Sequence, residues 1–385
     1  PRKQGQTVKY RLPLNFVLGR DNLVCQGEIS MPGTHMSDTE QRQSNNYVVC
    51  IHHGTDLDGW TSAALVKRWA DEHSLQPFFF PMNHDAPVRC REIIETFKPR
   101  YFIVADYSLT PAEYQELNDA RTNLEAPCGF LWCDHHISAV RDWNNAGYIS
   151  DEELKAFERG EQVLAGGGPM LDTSYDTALL CRNQSGCRLL HKMLFPEEYL
   201  LPSFVFYADR YDVWDMDPDI RPDAEALQLA CKVYDVENPS SEFWKDVIYP
   251  PIEKSTLRTE ELLQEGRTYK AYQEKLNEAA MRILSFTVDW HGHTWLAANS
   301  TGNSQVADSV FDPAVHDGVL LFSYTGGEKP WKVSMYSHES LPEERKKTLD
   351  FSTIAKEYGG GGHPGACGFV CETLPFTWQK SLTRG

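Results

Sequence analysis

The sequence predicts an α/β protein with a parallel-sheet N-terminal domain flanked by helices and a smaller α+β C-terminal domain. Short apolar runs without alternation recur in the first half, as in strands that are buried on both faces. Helix-compatible stretches separate these runs, and that order is typical of βαβ units in a parallel sheet. At 385 residues the chain is too long for one average core, so two domains are the default expectation.

Predicted strands and helices alternate along the first domain. Thr61–His73 and Val88–Phe97 are helix-compatible, and the helical pattern resumes at Ser185. Thr110 and Pro111 open another helix, because Thr is a favoured N-cap and Pro suits the first helical position. The predicted strands are Tyr47–Ile51, Phe78–Phe80, Tyr101–Ala105 and Gly129–Cys133.

Four segments are expected from composition and pattern. An N-terminal extension covers 1–46, with strands around Val8–Leu12 and Asn22–Ile29. The first domain covers 47–249 and carries an insertion at about 142–184, and a helical connector covers 250–283. In the second domain, 284–385, we expect strands over Phe286–Trp290, Thr294–Ala298, Val319–Tyr324 and Trp331–Tyr336, and a helix over Thr353–Tyr358.

Composition limits the cellular compartment and the class of substrate that we expect for this protein. No stretch approaches the roughly 18 to 20 uncharged apolar residues that span a bilayer, and the N-terminus has no apolar core of a secretory signal. We therefore expect a cytoplasmic protein without a membrane partner. The ten cysteines form no CxxC pair, which favours reduced, mostly buried thiols over a zinc site. A formal charge of −18 argues against a long nucleic-acid duplex and favours a small anionic substrate or a short oligonucleotide.

Acidic and histidine clusters follow three of the predicted strands. They comprise His52 with Asp56 and Asp58, then Asp106, then Asp134-His135-His136. Ligands bind beyond the carboxyl ends of strands in open parallel sheets, and all three clusters fall there. Oxygen and imidazole ligands suit a pair of divalent ions such as Mn²⁺ or Mg²⁺. Two such ions are a standard device for hydrolysing phosphate esters.

Each cluster also has an ordinary structural explanation. Asp56-Leu57-Asp58-Gly59 is compatible with a solvated turn, and Asp106 with a simple helix cap. Two adjacent imidazoles beside Asp134 seldom serve packing; in a metal site one would ligate, Asp134 would orient its ring, and the other would face the substrate phosphate. The run Gly359–Gly362 before His363 is either a flexible loop or a place where backbone amides approach an anion.

Taken in order, these motifs resemble the DHH phosphoesterase superfamily, and specifically members with the DHH-associated C-terminal nucleic-acid-binding domain, such as RecJ-type exonucleases and oligoribonucleases. The resemblance covers roughly residues 47–372. The glycine cluster is followed here by Ala366-Cys367 where the family commonly has two alanines. Tyr336 stands where many relatives have an arginine that helps to bind substrate.

The resemblance implies a centre of two divalent ions, Mn²⁺ in the first place and Mg²⁺ as the alternative. His52 and Asp56 would hold one ion, Asp58 and His135 the other, and Asp106 and a fourth acid would bridge them. The fourth acid is assigned to Asp209, with Asp212 as the competitor. His136 would contact the scissile phosphate and Asp134 would support the histidines. Substrate binding would fall to Gly361, Gly362 and His363.

The predicted function is hydrolysis of short single-stranded oligonucleotides or linear dinucleotides to mononucleotides across a cleft between the two domains. A RecJ-like single-strand exonuclease, a cyclic-dinucleotide phosphodiesterase and a phosphoanhydride hydrolase are the enzymatic alternatives. A nucleotide-sensing binding module is the non-enzymatic one, and it would require loss of ligands that the sequence retains. RNA or DNA preference, cleavage polarity and assembly, including a homodimer, stay open.

Overall fold

The computed structural model describes residues 46–83, 87–166, 176–215 and 217–377. The strands expected around Val8–Leu12 and Asn22–Ile29 lie outside these residues. The chain divides into two compact units. The first comprises the described residues up to Leu201 together with Glu237–Ser240, and the second comprises Pro202–Val236 and the described residues from Ser241 onward.

A six-stranded sheet organises the described part of the first unit. Its strand order is β2-β1-β3-β4-β6-β5, with every neighbouring pair parallel except β5 and β6. The chain moves outward from β1 in both directions, so the crevice between the carboxyl ends of β1 and β3 is the topological switch point. The strands are β1 (Tyr47–His53), β2 (Gln76–Met82), β3 (Tyr101–Ala105), β4 (Gly129–Asp134), β5 (Val163–Gly166) and β6 (Asp176–Leu180).

Helices connect these strands and cover the sheet. The central strands β3 and β4 are fully buried, which explains why they appear in the sequence as unbroken apolar runs. Thr110 caps its helix with a complete capping box, as its sequence predicts. The helices of this unit are α1 (Leu57–Glu72), α2 (Cys90–Phe97), α3 (Pro111–Arg121), α4 (Ile137–Asn145), α5 (Asp151–Glu158) and α6 (Gly186–Leu194).

The stretch expected as an insertion contributes to the sheet. Its strand β6 pairs in parallel with β4 and continues the main sheet, while β5 pairs antiparallel with β6 at the edge. The stretch expected as an insertion, 142–184, thus includes two strands of the sheet. Strand β6 begins with the polar residues Asp176 and Thr177, so its apolar run is only three residues long. The sequence pattern therefore did not predict a strand there. The glycines of this stretch from Gly167 onward lie outside the described residues.

The second unit combines helices with a separate sheet. Its sheet has the order β11-β12-β10-β9-β8-β7, antiparallel except for the pair β8–β9. The mixed α/β fold class is therefore confirmed. The strands are β7 (Ser285–Trp290), β8 (His293–Asn299), β9 (Gly318–Tyr324), β10 (Trp331–Tyr336), β11 (Gly361–His363) and β12 (Ala366–Cys371). The helices are α7 (Ser203–Asp212), α8 (Arg221–Cys231), α9 (Glu242–Val247), α10 (Ile252–Leu284), α11 (Glu343–Lys346) and α12 (Ser352–Glu357).

The described residues bear on two predictions from composition, that the cysteines are buried thiols and that no segment spans a membrane. Their nine cysteines are free thiols, and all are buried except the half-buried Cys371. Burial raises the pKa of the Cys128 thiol to about 12, so that thiol stays protonated near neutral pH. A search of the described helices finds none that is long and apolar enough to cross a membrane.

Candidate metal centre

A histidine and an aspartate are in contact where strand β1 ends and helix α1 begins. His53 is the last residue of β1, and its Nδ1 lies 2.5 Å from Oδ2 of Asp56. Asp56 is the N-cap of α1 and accepts a hydrogen bond from the Gly59 amide at 3.0 Å. Burial alone would raise the pKa of Asp56, but the hydrogen bond and charge of His53 and the Gly59 amide outweigh it and lower that pKa. Asp56 is therefore held as a carboxylate.

His52, the predicted ligand, has a different environment. Its ring is buried, makes an edge contact with Phe79 at a centroid distance of 6.4 Å, and places Nδ1 2.9 Å from the His53 carbonyl oxygen. Burial lowers the pKa of His52 to about 4, so the ring is neutral near pH 7. Successive strand residues face opposite sides of a sheet. The structure thus brings His53, which the sequence reasoning missed, to the acidic cluster.

Asp106 stands directly after strand β3 in an uncommon backbone conformation. Its φ is +52°, in the left-handed region, and its amide donates to the Cys133 carbonyl at 2.9 Å. A left-handed non-glycine residue costs of order 1–3 kcal/mol and tends to mark functional sites. The side chain is 1% exposed. Its Oδ2 lies 3.9 Å from His53 Nδ1 and its Oδ1 lies 3.3 Å from His135 Nε2.

The N-terminus of helix α6 holds the carboxylate of Asp58. Ser185 Oγ donates to Oδ1 at 3.0 Å, and the amides of Gly186 and Cys187 donate to Oδ2 at 2.7 Å and to Oδ1 at 2.6 Å. A helix N-terminus favours negative charge, so this arrangement stabilises the charge of a buried carboxylate. Gly186 is required there, because a Cβ on it would lie 2.6 Å from the Cβ of Asp106.

Asp134 organises the two histidines that follow strand β4. Its Oδ1 accepts hydrogen bonds from the amides of His135 and His136 at 2.7 and 3.2 Å and lies 2.7 Å from His136 Nδ1. Burial alone would raise the pKa of Asp134, but the charge and hydrogen bonds of the two histidines keep it below its usual range. Asp134 therefore has the supporting geometry that its predicted role requires.

The donor atoms form three overlapping groups. Those of His53, Asp56 and Asp106 lie within 4.8 Å of one another, and so do those of Asp58, Asp106 and His135. The third group, within the same distance, joins Asp106 and His135 to Asp134 and His136. Asp106 is common to all of them. Carboxylate oxygens and imidazole nitrogens are the ligands that Mn²⁺ and Mg²⁺ accept, so the residues present fit divalent cations.

The predicted fourth acid lies on helix α7, in the second unit. The apolar run that precedes it, Phe204–Ala208, is helical. Asp209 is fully buried, and its Oδ2 accepts hydrogen bonds from Arg210 Nε at 2.8 Å and Nη2 at 2.5 Å. These two hydrogen bonds from one guanidinium group offset the negative charge of the Asp209 carboxylate. Asp212, the competitor, is the last residue of the same helix and is half-buried.

The predicted substrate residues lie at the edge of the second sheet. Gly361–His363 forms strand β11, so part of the expected flexible loop is an ordered edge strand. A Cβ on Gly361 would meet open space, whereas Gly362 has a φ of +130° and its Cβ would lie 2.6 Å from the Ala366 carbonyl oxygen. His363 is exposed.

The fold and the cluster together define the class of site. A doubly wound sheet carries carboxylates and imidazoles at the carboxyl ends of β1, β3 and β4, next to its switch point. That is the donor set of a metal-dependent phosphoesterase.

Comparison with solved structures gives matches that span most of the chain. The pGpG-specific phosphodiesterase PggH from Vibrio cholerae has a TM-score of 0.42 and 11% identity, covering 84% of this chain and 92% of that chain. Exonuclease RecJ bound to manganese has a TM-score of 0.37 and 16% identity, covering 86% of each chain. An exopolyphosphatase-related protein from Bacteroides fragilis has a TM-score of 0.38 and 11% identity, covering 86% and 89%.

No protein-family profile matches the sequence, and no curated protein sequence matches it at a significant level.

Proposed function

We propose that this protein is a phosphodiesterase that uses two divalent ions, preferably Mn²⁺, to hydrolyse short oligonucleotides or linear dinucleotides to mononucleotides. The observation that carries the proposal is the sharing of Asp106 between two donor groups, one with His53 and Asp56 and one with Asp58 and His135. Asp106 would therefore help to hold both ions, His53 and Asp56 would complete one site, and Asp58 and His135 the other. Bound ions would activate water and stabilise the charge that develops on the phosphorus oxygens.

The protein supports this chemistry by fixing the positions of the carboxylates and the orientation of His136. Asp58 is fixed by the α6 N-terminus, and Asp106 is fixed by its backbone and by the close approach of Gly186. His136 is tied to Asp134 through Nδ1, and its side chain is 35% exposed. In its protonated form His136 can therefore donate from Nε2 to a phosphate oxygen of the substrate.

The overall charge supports a small substrate. With a formal charge of −18, the chain has little general attraction for the phosphates of a long duplex. A mononucleotide or dinucleotide needs few cationic contacts, because the ions themselves supply the local positive charge.

The test is hydrolysis of 5′-labelled RNA and DNA of 2, 5 and 24 nucleotides with Mn²⁺, with Mg²⁺ and with a chelator. We expect turnover of the 2-mer and 5-mer with Mn²⁺ and its loss on chelation. Asp106→Asn and His135→Ala should each lower kcat by roughly 10³, because each removes a donor from the shared centre.

Three results would contradict the proposal in different ways. Processive loss of the 24-mer would move the protein to a RecJ-like exonuclease. Cleavage of pyrophosphate or a cyclic dinucleotide in place of the linear substrates would overturn the substrate and keep the metal centre. Wild-type activity in Asp106→Asn would overturn the shared centre itself.

A further inference from the structure

A serine, a histidine and an aspartate of the second unit are hydrogen-bonded in series, and none of them belongs to the metal centre. His338 follows strand β10 by two residues, and its Nδ1 lies 2.8 Å from the hydroxyl oxygen of Ser340. Its Nε2 lies 3.0 Å from Oδ1 of Asp308, the residue that ends the short 3₁₀ helix Ser304–Ala307. A nucleophile within hydrogen-bonding reach of a base, with the base oriented by a third group, is the arrangement that nucleophilic catalysis uses.

The hydrogen bonds determine which nitrogen of His338 carries the proton. The backbone amide of Ser340 donates to Nδ1 at 3.2 Å, and an amide N–H can only donate. Nδ1 of the neutral ring is therefore the acceptor, so Nε2 carries the proton and donates it to the carboxylate of Asp308. Since Nδ1 has no proton to give, the Ser340 hydroxyl also donates to it, over the shorter distance. His338 is thus oriented as a base toward that hydroxyl.

The base is buried, whereas the nucleophile is open to solvent. The side chain of His338 is 4% exposed, and its ring stacks on that of Phe311 with 4.2 Å between the ring centroids and 12° between the planes. Ser340 is exposed. A buried histidine could be satisfied by Asp308 and the Ser340 amide alone, so the exposed hydroxyl is the part of the series that folding does not require. A substrate can reach it, while the stack on Phe311 holds the imidazole in place.

We propose that Ser340 is the nucleophile of a second site, which needs no metal ion and takes the acyl group of a neutral carboxylic ester. Oγ attacks the carbonyl carbon as its proton passes to Nδ1 of His338, and the leaving alcohol takes that proton when the ester C–O bond breaks. Water then attacks the acyl-serine and gives a proton to Nδ1. Ser340 regains this proton as the carboxylic acid leaves, and Asp308 stabilises the charged ring in both steps. The exposed carboxylate of Glu339 disfavours an anionic ester.

The experiment is acetylation of the full chain by p-nitrophenyl acetate in the presence of a chelator, followed by an acid quench and peptide mass mapping. Ser309 is the internal control, because it is exposed in the same unit and has no histidine partner among the described residues. We expect Ser340 to be acetylated at least about tenfold faster than Ser309. His338→Gln should lower the rate at Ser340 by about 10², as the loss of a general base does.

Asp308 is a positioning residue, and its variants separate that role from a role in folding. Asp308→Asn should lower the rate at Ser340 about tenfold, and Asp308→Glu, which keeps the carboxylate, should stay within about threefold of the wild type. Ser309→Ala is the matched control and should leave the rate at Ser340 unchanged. The Asp308 side chain is 49% exposed, so we expect its variants to fold even where His338→Gln does not, and far-ultraviolet circular dichroism checks each of them.

Two results would overturn the second site. One is equal acetylation of Ser340 and Ser309 in the wild type, and the other is a rate at Ser340 that Asp308→Asn leaves unchanged. The second site does not depend on the proposed phosphodiesterase activity, so Ser340→Ala should keep Mn²⁺-dependent cleavage of a dinucleotide. Loss of that cleavage in a folded Ser340→Ala variant would place Ser340 in the metal-dependent reaction and overturn its separate role.

Discussion

A shift of one position along strand β1, from His52 to His53, changes the proposed set of metal ligands. The spacing of histidine and aspartates in the sequence pointed to His52, four residues before Asp56. In the structure His52 packs on Phe79, and it is His53 that contacts Asp56 and faces Asp106. Adjacent strand residues face opposite sides, so a pair of adjacent histidines contains the candidate ligand without identifying it.

The two histidines can be separated by their alanine variants. We expect His53→Ala to weaken Mn²⁺ binding at least about tenfold, because it removes an imidazole from one donor group. His52→Ala should keep that affinity and instead lower the free energy of unfolding by about 2 kcal/mol, as the loss of a buried ring does. Calorimetric Mn²⁺ titration and urea unfolding measure the two effects. The opposite pattern would restore His52 as the ligand.

At the scale of elements, the N-terminus of helix α6 is the part of the centre that the motifs did not reveal. Three donors from Ser185, Gly186 and Cys187 converge on Asp58 from about 130 residues further along the chain. The sequence showed that a helix begins here. It carried no sign that the helix end meets Asp58, since a Ser-Gly pair is also an ordinary helix start.

Ser185→Ala tests this arrangement, with Ser150→Ala as the matched control. Ser150 caps helix α5 through Glu153 on an exposed surface. Ser150→Ala removes a capping hydrogen bond and Ser185→Ala removes the hydrogen bond to Asp58, so each should lower the free energy of unfolding by about 1 kcal/mol. Ser185→Ala alone should also weaken Mn²⁺ binding, by roughly tenfold, because Asp58 loses one of its orienting donors. Equal Mn²⁺ affinity in the two variants would refute the positioning role.

At the scale of the molecule, a half-buried ion cluster ties helices α1 and α6 of the first unit together. Glu198 pairs with Arg68 on α1 and lies 3.0 Å from His191 Nε2 on α6. Burial alone would raise the pKa of Glu198, but Arg68 and His191 lower it below its ordinary value of 4.5. Because the folded pKa is the lower one, the unfolded chain takes up protons first as the pH falls. The cluster therefore stabilises the fold above about pH 4.5 and loses that contribution as the pH falls through the folded pKa.

Glu198→Gln should accordingly lose stability in a pH-dependent way. Near pH 7 we expect the free energy of unfolding to fall by about 1 kcal/mol, a small value because Glu198 is partly solvated. The difference from wild type should shrink below about pH 4.5, where the wild-type carboxylate also becomes protonated. Urea unfolding between pH 7 and pH 3.5 measures it. Glu161→Gln, which breaks an exposed pair with Arg159, is the control and should show a much smaller change with pH, because solvent screens that pair. A constant difference for Glu198→Gln across the range would contradict the linkage.

The sequence by itself determined the features that depend on local pattern. Unbroken apolar runs identified β1, β3 and β4, and the acids that follow them marked the carboxyl edge of a parallel sheet. Asp56, Asp58 and Asp106 were named from their positions after these strands, and His135 from the family resemblance. The structure brings their donor atoms and those of His53 into overlapping groups that share Asp106. These properties need only the neighbours of each residue in the chain.

The tertiary structure alone decided what depends on contacts distant in sequence. Only pairing with β4 makes Asp176–Leu180 a strand of the main sheet, and only packing shows that Phe204–Ala208 is helical. The face on which His53 lies, the arginine pair of Asp209 and the approach of Ser185 to Asp58 follow from side-chain directions. Local propensity is weak beside such packing, so a one-dimensional pattern locates the site but leaves its ligands to the folded chain.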